Sequence, residues 1–288
     1  MKKHPNRLPA TMEIESKLMK IFAYALLILI VILVAVPLYT VVMLSFKTKT
    51  EAMGPNVFSL PESFAYFENF KYIWTKGKLL TGFKNTGILI VTSVAGSVVM
   101  GTMVAYILGR FQFKGRRWLY LLFLFPTIVP AMTTQVATFT IVRNLGLYNT
   151  IFAGIILYVA TDIMQIYIFL QHIEKIPMAL DESARIDGAS YMRIYGSIIM
   201  PQMKPAIATA VIIKALTIYN DLFIPYLYMP KSSLKTVTTS ILAFVADRTS
   251  DWGLVGAGIV SVIIPTILIY LFMQRYIIGG VVEGAVKA

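Results

Sequence analysis

Six stretches of this chain, residues 21–44, 86–108, 118–142, 149–170, 205–229 and 253–276, are each a nearly unbroken apolar run. A hydrocarbon core about 30 Å thick is crossed by roughly 20 helical residues at ~1.5 Å each. Inside that core no water reaches the backbone, so each run must satisfy its own N–H and C=O groups, as a helix does. The sequence therefore predicts an all-α polytopic membrane protein with six transmembrane helices. Only 14% of its 288 residues are charged, against about 25% in a soluble domain. The first run is longer than the ~7–15 residues of a signal-peptide core and no A-x-A site follows it, so it is read as a retained span. Residues 1–20 form a cytoplasmic N-terminal segment and 21–288 a single transmembrane domain.

The net charge of +12 would suggest nucleic acid in a soluble protein. Here the basic residues flank apolar runs, where orientation and anionic lipid account for them and no nucleic acid is expected. Lys2, Lys3, Arg7, Lys17 and Lys20 precede the first run. Arg110, Lys114, Arg116 and Arg117 crowd the second loop, and Lys175, Arg185, Arg193 and Lys204 the fourth, whereas the third holds only Arg143. This asymmetry places both termini and the second and fourth loops in the cytoplasm. Residues 46–84 and 230–252 then become outer loops. The first of these carries six lysines, but long loops cross largely regardless of charge. Within it, Tyr66, Phe67, Phe70, Ile73 and Trp74 recur at helical spacing, with Ser63 as a cap. That helix lies either at the outer interface or packed on the rest of the protein.

The fourth loop, residues 172–204, has the pattern helix, turn, helix. Pro177 suits a helix start, and Gly188 the left-handed residue that ends one. Tyr191, Ile194, Tyr195, Ile198 and Ile199 then fall on one helical face, with Arg193 off it. Asp181, Glu182, Arg185 and Asp187 give the first helix a charged character facing a protein. A helix resting on lipid headgroups is usually rich in Lys and Arg. Here Glu174, Asp181, Glu182 and Asp187 balance the four basic residues, which favours a protein partner over lipid.

Within the runs sit Asp162, Gln165, Lys214, Asn220 and Asp221. An ionised group near mid-bilayer costs about 2.5–3.5 kcal/mol on insertion scales, so each should face protein or water. Asp162 lies roughly 20 Å from the outer end of its run and Lys214 roughly 14 Å from the inner end of its own. Those depths nearly coincide and suggest an intramembrane ion pair, either holding helices together or relaying protons. Pro126, Pro130 and Pro265 interrupt the third and sixth runs. There is no cysteine, no G-x-x-x-x-G-K-[ST] and no H-E-x-x-H, and His4 and His172 are far apart. No catalytic residue, metal site or bound cofactor is expected.

Glu182-Ser183-Ala184, Gly188, Ile198 and Pro201 keep the spacing E-A-A-x3-G-x9-I-x-L-P, with Ser183 and Met200 as substitutions. This resembles the coupling loop of ATP-binding-cassette (ABC) importer permeases. Val36-Pro37-Leu38-Tyr39, Arg110-Phe111, Ile186-Asp187-Gly188-Ala189-Ser190, Tyr219-Asn220-Asp221-Leu222-Phe223-Ile224-Pro225 and Gly284-Ala285-Val286-Lys287 resemble, in order, segments of the smaller six-span permease of carbohydrate importers of the maltose-transporter type.

The resemblance implies a type I ABC importer permease fold in a bacterial cell membrane and import of a sugar or oligosaccharide. It implies as partners a second homologous permease, two ATPase subunits that bind ATP and Mg, and an extracytoplasmic sugar-binding protein probed by residues 230–252. It places Glu182, Ser183, Ala184, Arg185, Asp187, Gly188, Ser190 and Arg193 at the ATPase contact. It also places Tyr219, Asn220, Asp221, Phe223 and Tyr226 near the translocation path, where sugars need hydrogen-bonding groups and aromatic faces. The alternatives are an ABC permease for a non-sugar solute and a gradient-driven secondary transporter.

Overall fold

The computed structural model describes residues 17–160, 163–247 and 251–285. Most of the N-terminal segment 1–20 lies outside the described residues, as do Asp162, Arg248, Val286 and Lys287. The first described helix is α1 (Lys17–Ser45), and the segment after it carries α2 (Lys49–Ala52) and α3 (Glu68–Thr75). The long α4 (Leu79–Arg110) is followed by α5 (Arg116–Ile128), α6 (Ala131–Asn144), α7 (Ile151–Val159) and α8 (Ile163–Ile173). Next come α9 (Ala179–Ile186), α10 (Tyr191–Ile194), a π-helix (Tyr195–Ile199) and α11 (Met200–Gln202). The chain continues through α12 (Lys204–Asn220), α13 (Phe223–Tyr228), a 3-10 turn (Ser232–Leu234), α14 (Val237–Asp247) and α15 (Trp252–Ala285).

All six apolar runs fall on helix, but not as six straight rods. Among the described residues, two helices are each long and apolar enough to cross a membrane alone, and up to five spans result if each bent pair counts as one. The third run divides at Val129–Pro130 into α5 and α6, bent by 108°. The fourth divides between α7 and α8, a break no proline announces. The fifth ends α12 at Asn220 and resumes as α13. The sixth is continuous in α15 and carries Pro265 inside it.

α4 is the axis of the molecule and packs against α7, α8, α12 and α14. Ser93, Ser97, Gly101 and Ala105 recur every fourth residue along it and are all buried. Lipid tails are as apolar as leucine, so spans associate by close van der Waals contact, which small residues permit. Ser97 Oγ donates across this contact to Gln165 Oε1 at 2.7 Å. Leu89, Ile166, Phe169, Ile173, Ile194, Ile199 and Met203 fill the core around the same helix. α1 keeps its apolar window unburied and packs on α15 near its own C-terminal end. Gly253 makes that approach possible: a Cβ there would lie 2.6 Å from the Lys47 carbonyl.

The segment 46–84 resolves the choice left by its sequence. α3 packs on α15 and α4, with Ile73 and Asn69 buried. Ser63 is not its cap. Phe67 holds that position without a side-chain bond, and Ser63 Oγ accepts instead from Ala65 N–H. Asn69 Nδ2 donates to the carbonyls of Ser45 and Lys47. Lys47, one of the six lysines of residues 46–84, is itself buried, its Nζ 2.9 Å from Ser59 Oγ.

Candidate functional site

The segment 177–203 is a helix–turn–helix seated on the C-terminal end of α4. Leu180 N–H bonds to the Pro177 carbonyl to open the first turn. Gly188 (φ 79°) ends α9: Ala189 N–H returns to the Ala184 carbonyl and Gly188 N–H to the Arg185 carbonyl. That pair of bonds satisfies carbonyls left open at a helix end and requires a left-handed residue. Ser190 Oγ accepts from Arg193 N–H and starts the second limb. Four residues on, the backbone widens into the π-helix. In an α-helix residues five apart point about 140° away from each other, whereas an i→i+5 turn brings them closer. Ile194 and Ile199 are both fully buried as a result. Pro201 brings no donor, and after Met203 the chain turns by 76° into α12.

The outward face of this segment carries Glu182, Ser183, Arg185, Asp187, Gly188, Ser190 and Arg193, all exposed. Two expected members face the other way. Ala184 and Asp181, three residues apart on α9, are buried beneath it. The sequence reading missed the apolar part of the surface. Ile186 is 87% exposed and Met192 is 65% exposed, among those charges. Tyr191, expected on the buried face, is exposed; its ring lies 4.4 Å from the Arg185 guanidinium carbon and 5.0 Å from the Phe111 ring.

The five residues expected near the translocation path separate. Tyr219 is buried, and its hydroxyl donates to the Val262 carbonyl of α15 at 2.8 Å, away from any open face. Asp221 organises the break between α12 and α13. Its Oδ1 accepts from Phe223 N–H at 2.7 Å, and its Oδ2 accepts from the buried Tyr158 hydroxyl at 2.8 Å. Pro225 has no N–H for the Asp221 carbonyl four residues earlier, and Thr238 Oγ1 donates there instead at 2.7 Å. Asn220, Phe223 and Tyr226 remain on the exposed side of the break. Tyr226 also lines a cavity of about 550 Å³ with Tyr148, Lys235 and Thr239.

Lys214 Nζ donates to the Ala160 carbonyl at 3.0 Å, at the break between α7 and α8. Its suggested partner, Asp162, lies in that break, outside the described residues. Among the described residues no three His, Asp or Glu side chains converge to hold a metal. The first part of residues 230–252 is pinned to α4. Asn85 Nδ2 donates to the Ser233 and Lys235 carbonyls, and Val237 N–H donates to Thr86 Oγ1.

Residues 97–281 match the family described as binding-protein-dependent transport system inner membrane component. The chain is 32% identical to the diacetylchitobiose uptake system permease protein NgcG of Streptomyces coelicolor, over 92% of this chain and 88% of that one. It is 29% identical to the melibiose/raffinose/stachyose import permease protein MelC of Bacillus subtilis, over 88% of this chain and 91% of that one. Its fold is similar to a chain of a bacterial ABC transporter involved in the import of the acidic polysaccharide alginate. The TM-score is 0.77 at 24% identity, over 92% of this chain and 99% of that one.

Proposed function

Because this chain belongs to the family of binding-protein-dependent transport system inner membrane components, we propose that it is the permease subunit of an ATP-driven sugar or oligosaccharide importer. Its relatives import diacetylchitobiose and the melibiose, raffinose and stachyose group, which supports short oligosaccharides as the substrate class. The observation that carries the mechanism is the outward face of residues 177–203. Exposed Ile186 and Met192 sit among Glu182, Arg185, Asp187 and Arg193. An apolar centre within a charged surround is the composition that a protein partner buries.

In this reading the partner is an ATPase dimer, and ATP-driven closure of that dimer pushes on the helix–turn–helix. A second permease completes the pore. Asn220, Phe223 and Tyr226 face it, offering an amide and two aromatic faces to a passing sugar. Tyr219 and Asp221 hold the interrupted helix that presents them. An extracytoplasmic sugar-binding protein meets the outer loops.

The test is purification of the tagged chain in mild detergent, followed by reconstitution of whatever copurifies. Uptake is measured for a panel of radiolabelled di- to tetrasaccharides of glucose, galactose and N-acetylglucosamine. The expected complex holds a different permease and two ATPase copies and moves label only with ATP and the binding protein. Gradient-driven uptake by this chain alone would overturn the proposal.

A further inference from the structure

Thr102, Tyr106 and Arg110 are spaced by four residues at the end of α4 and form a single stripe one turn apart. Every member of the stripe touches the coupling segment. Thr102 Oγ1 lies 2.8 Å from the Tyr195 hydroxyl, and the Tyr106 and Tyr195 rings are 5.5 Å apart. An Arg110 guanidinium nitrogen lies 3.2 Å from Asp181 Oδ2 and donates to the Ile176 carbonyl at 2.9 Å. Both charged side chains are buried, 7% and 8% exposed.

This ion pair is badly built as a stabiliser. Among the described residues Arg110 Nε has no hydrogen-bond partner, and Asp181 Oδ2 meets Arg110 by charge rather than by a well-directed hydrogen bond. A buried pair with unfilled bonding capacity adds little over an apolar pair of the same volume, while loss of one partner strands the other charge. It is well built as a fastener. Arg110 is the last residue of α4, at the negative end of that helix, and Asp181 lies in the first turn of α9, at its positive end. Each charge sits where its own helix favours it, and the two helix ends are drawn to each other in one orientation.

We propose that the Arg110–Asp181 pair is the clamp that makes the coupling segment and α4 move as one body. It is a positioning device on the inner face of α9, out of contact with the ATPase. The inference rests on the proposed function for what drives the motion, but its geometry does not.

The chain has no native cysteine, so spin labels can be placed at Ala179→Cys on α9 and Met100→Cys on α4, both exposed positions. Distances are measured in the purified complex in nanodiscs, and ATP consumed per labelled sugar with the oligosaccharide panel above. The native pair is expected to give one narrow distance. Arg110→Gln and Asp181→Asn should each broaden it and raise ATP consumed per sugar about tenfold, and Arg110→Lys should restore most of both. An unchanged distance and ratio in the single variants would overturn the clamp.

If a single variant fails to assemble, Arg110→Met with Asp181→Leu restores packing without charge. Native coupling in that double variant would also overturn the proposal; an assembled but uncoupled complex would support it. A native complex that transports without nucleotide would sink the proposed function, while the distance measurement would still test the clamp.

Discussion

At Gly188 the backbone, not the space around it, decides which residue is tolerated. A Cβ built there meets nothing within 4 Å, yet φ is 79°. For a residue with a side chain that conformation costs roughly 1–2 kcal/mol, and asparagine tolerates it best. If the segment docks the proposed ATPase, Gly188→Val is expected to weaken that capture about tenfold and Gly188→Asn to leave most of it, as titration of a copurified ATPase would measure. Glu51 is a second residue whose chemistry is set locally. Its carboxylate accepts from Glu62 N–H and Thr48 N–H, each at 2.7 Å. Those backbone bonds hold its pKa below the ordinary carboxylate value. A carboxyl with a depressed folded pKa contributes stability above its unfolded pKa and loses it as pH falls through the folded value. The protection of the Glu62 amide against exchange, taken relative to its intrinsic rate at each pH, should therefore fall on acidification below the usual carboxylate range. In Glu51→Gln that pH dependence should be absent.

Among the elements, the interrupted helix α12–α13 concentrates the most bonding in the fewest residues. Asp221 caps α13, accepts from Tyr158 and yields its carbonyl to Thr238. Removing the Tyr158 hydroxyl leaves the shape intact and takes away a hydrogen bond to a charged acceptor. Tyr158→Phe is expected to destabilise by about 2 kcal/mol, read as a lower thermal midpoint in detergent. The break was partly legible in the sequence, because Pro225 can supply no N–H to Asp221. The break between α7 and α8 was not, since residues 157–165 contain no proline or glycine. The face of α9 shows the same limit. The spacing of Asp181 and Ala184 marks one side of a helix, but a short helix with charges all round does not say which side packs. Only the position of Arg110, over 70 residues earlier in the chain, turns Asp181 inward. Glu182, one residue later, is left outside. Gly188 was legible because glycine is the residue a left-handed helix end asks for. Ile186 was not, because exposed apolar groups on a partner surface look like core residues in a sequence.

For the whole molecule, α4 supplies the ruler. Its 32 residues extend about 48 Å as a helix, more than the ~30 Å of a hydrocarbon core. At one end Asn85 is bonded to the 230s loop and Lys78 to Ser232. At the other, Arg110 meets Asp181. The 230s loop and the segment 177–203 therefore lie at opposite ends of one helix, and if α4 crosses a membrane, as its length and apolarity allow, the bilayer separates them. The distribution of basic residues predicts that the segment 177–203 is cytoplasmic, and burial of Lys47 removes one of the lysines of residues 46–84 that weigh against that expectation. Single cysteines in this cysteine-free chain can test both statements with a membrane-impermeant maleimide. Lys71, whose side chain is 70% exposed, and Ile186, 87% exposed, mark the two ends. In intact cells stripped of any outer barrier, Lys71→Cys is expected to label at once, and Ile186→Cys only after the membrane is opened and the ATPase subunits proposed to cover it are stripped away. The opposite order would invert the orientation and detach the coupling segment from any cytoplasmic ATPase. Labelling of both from one side would mean that α4 does not cross, and the ruler would fail with it.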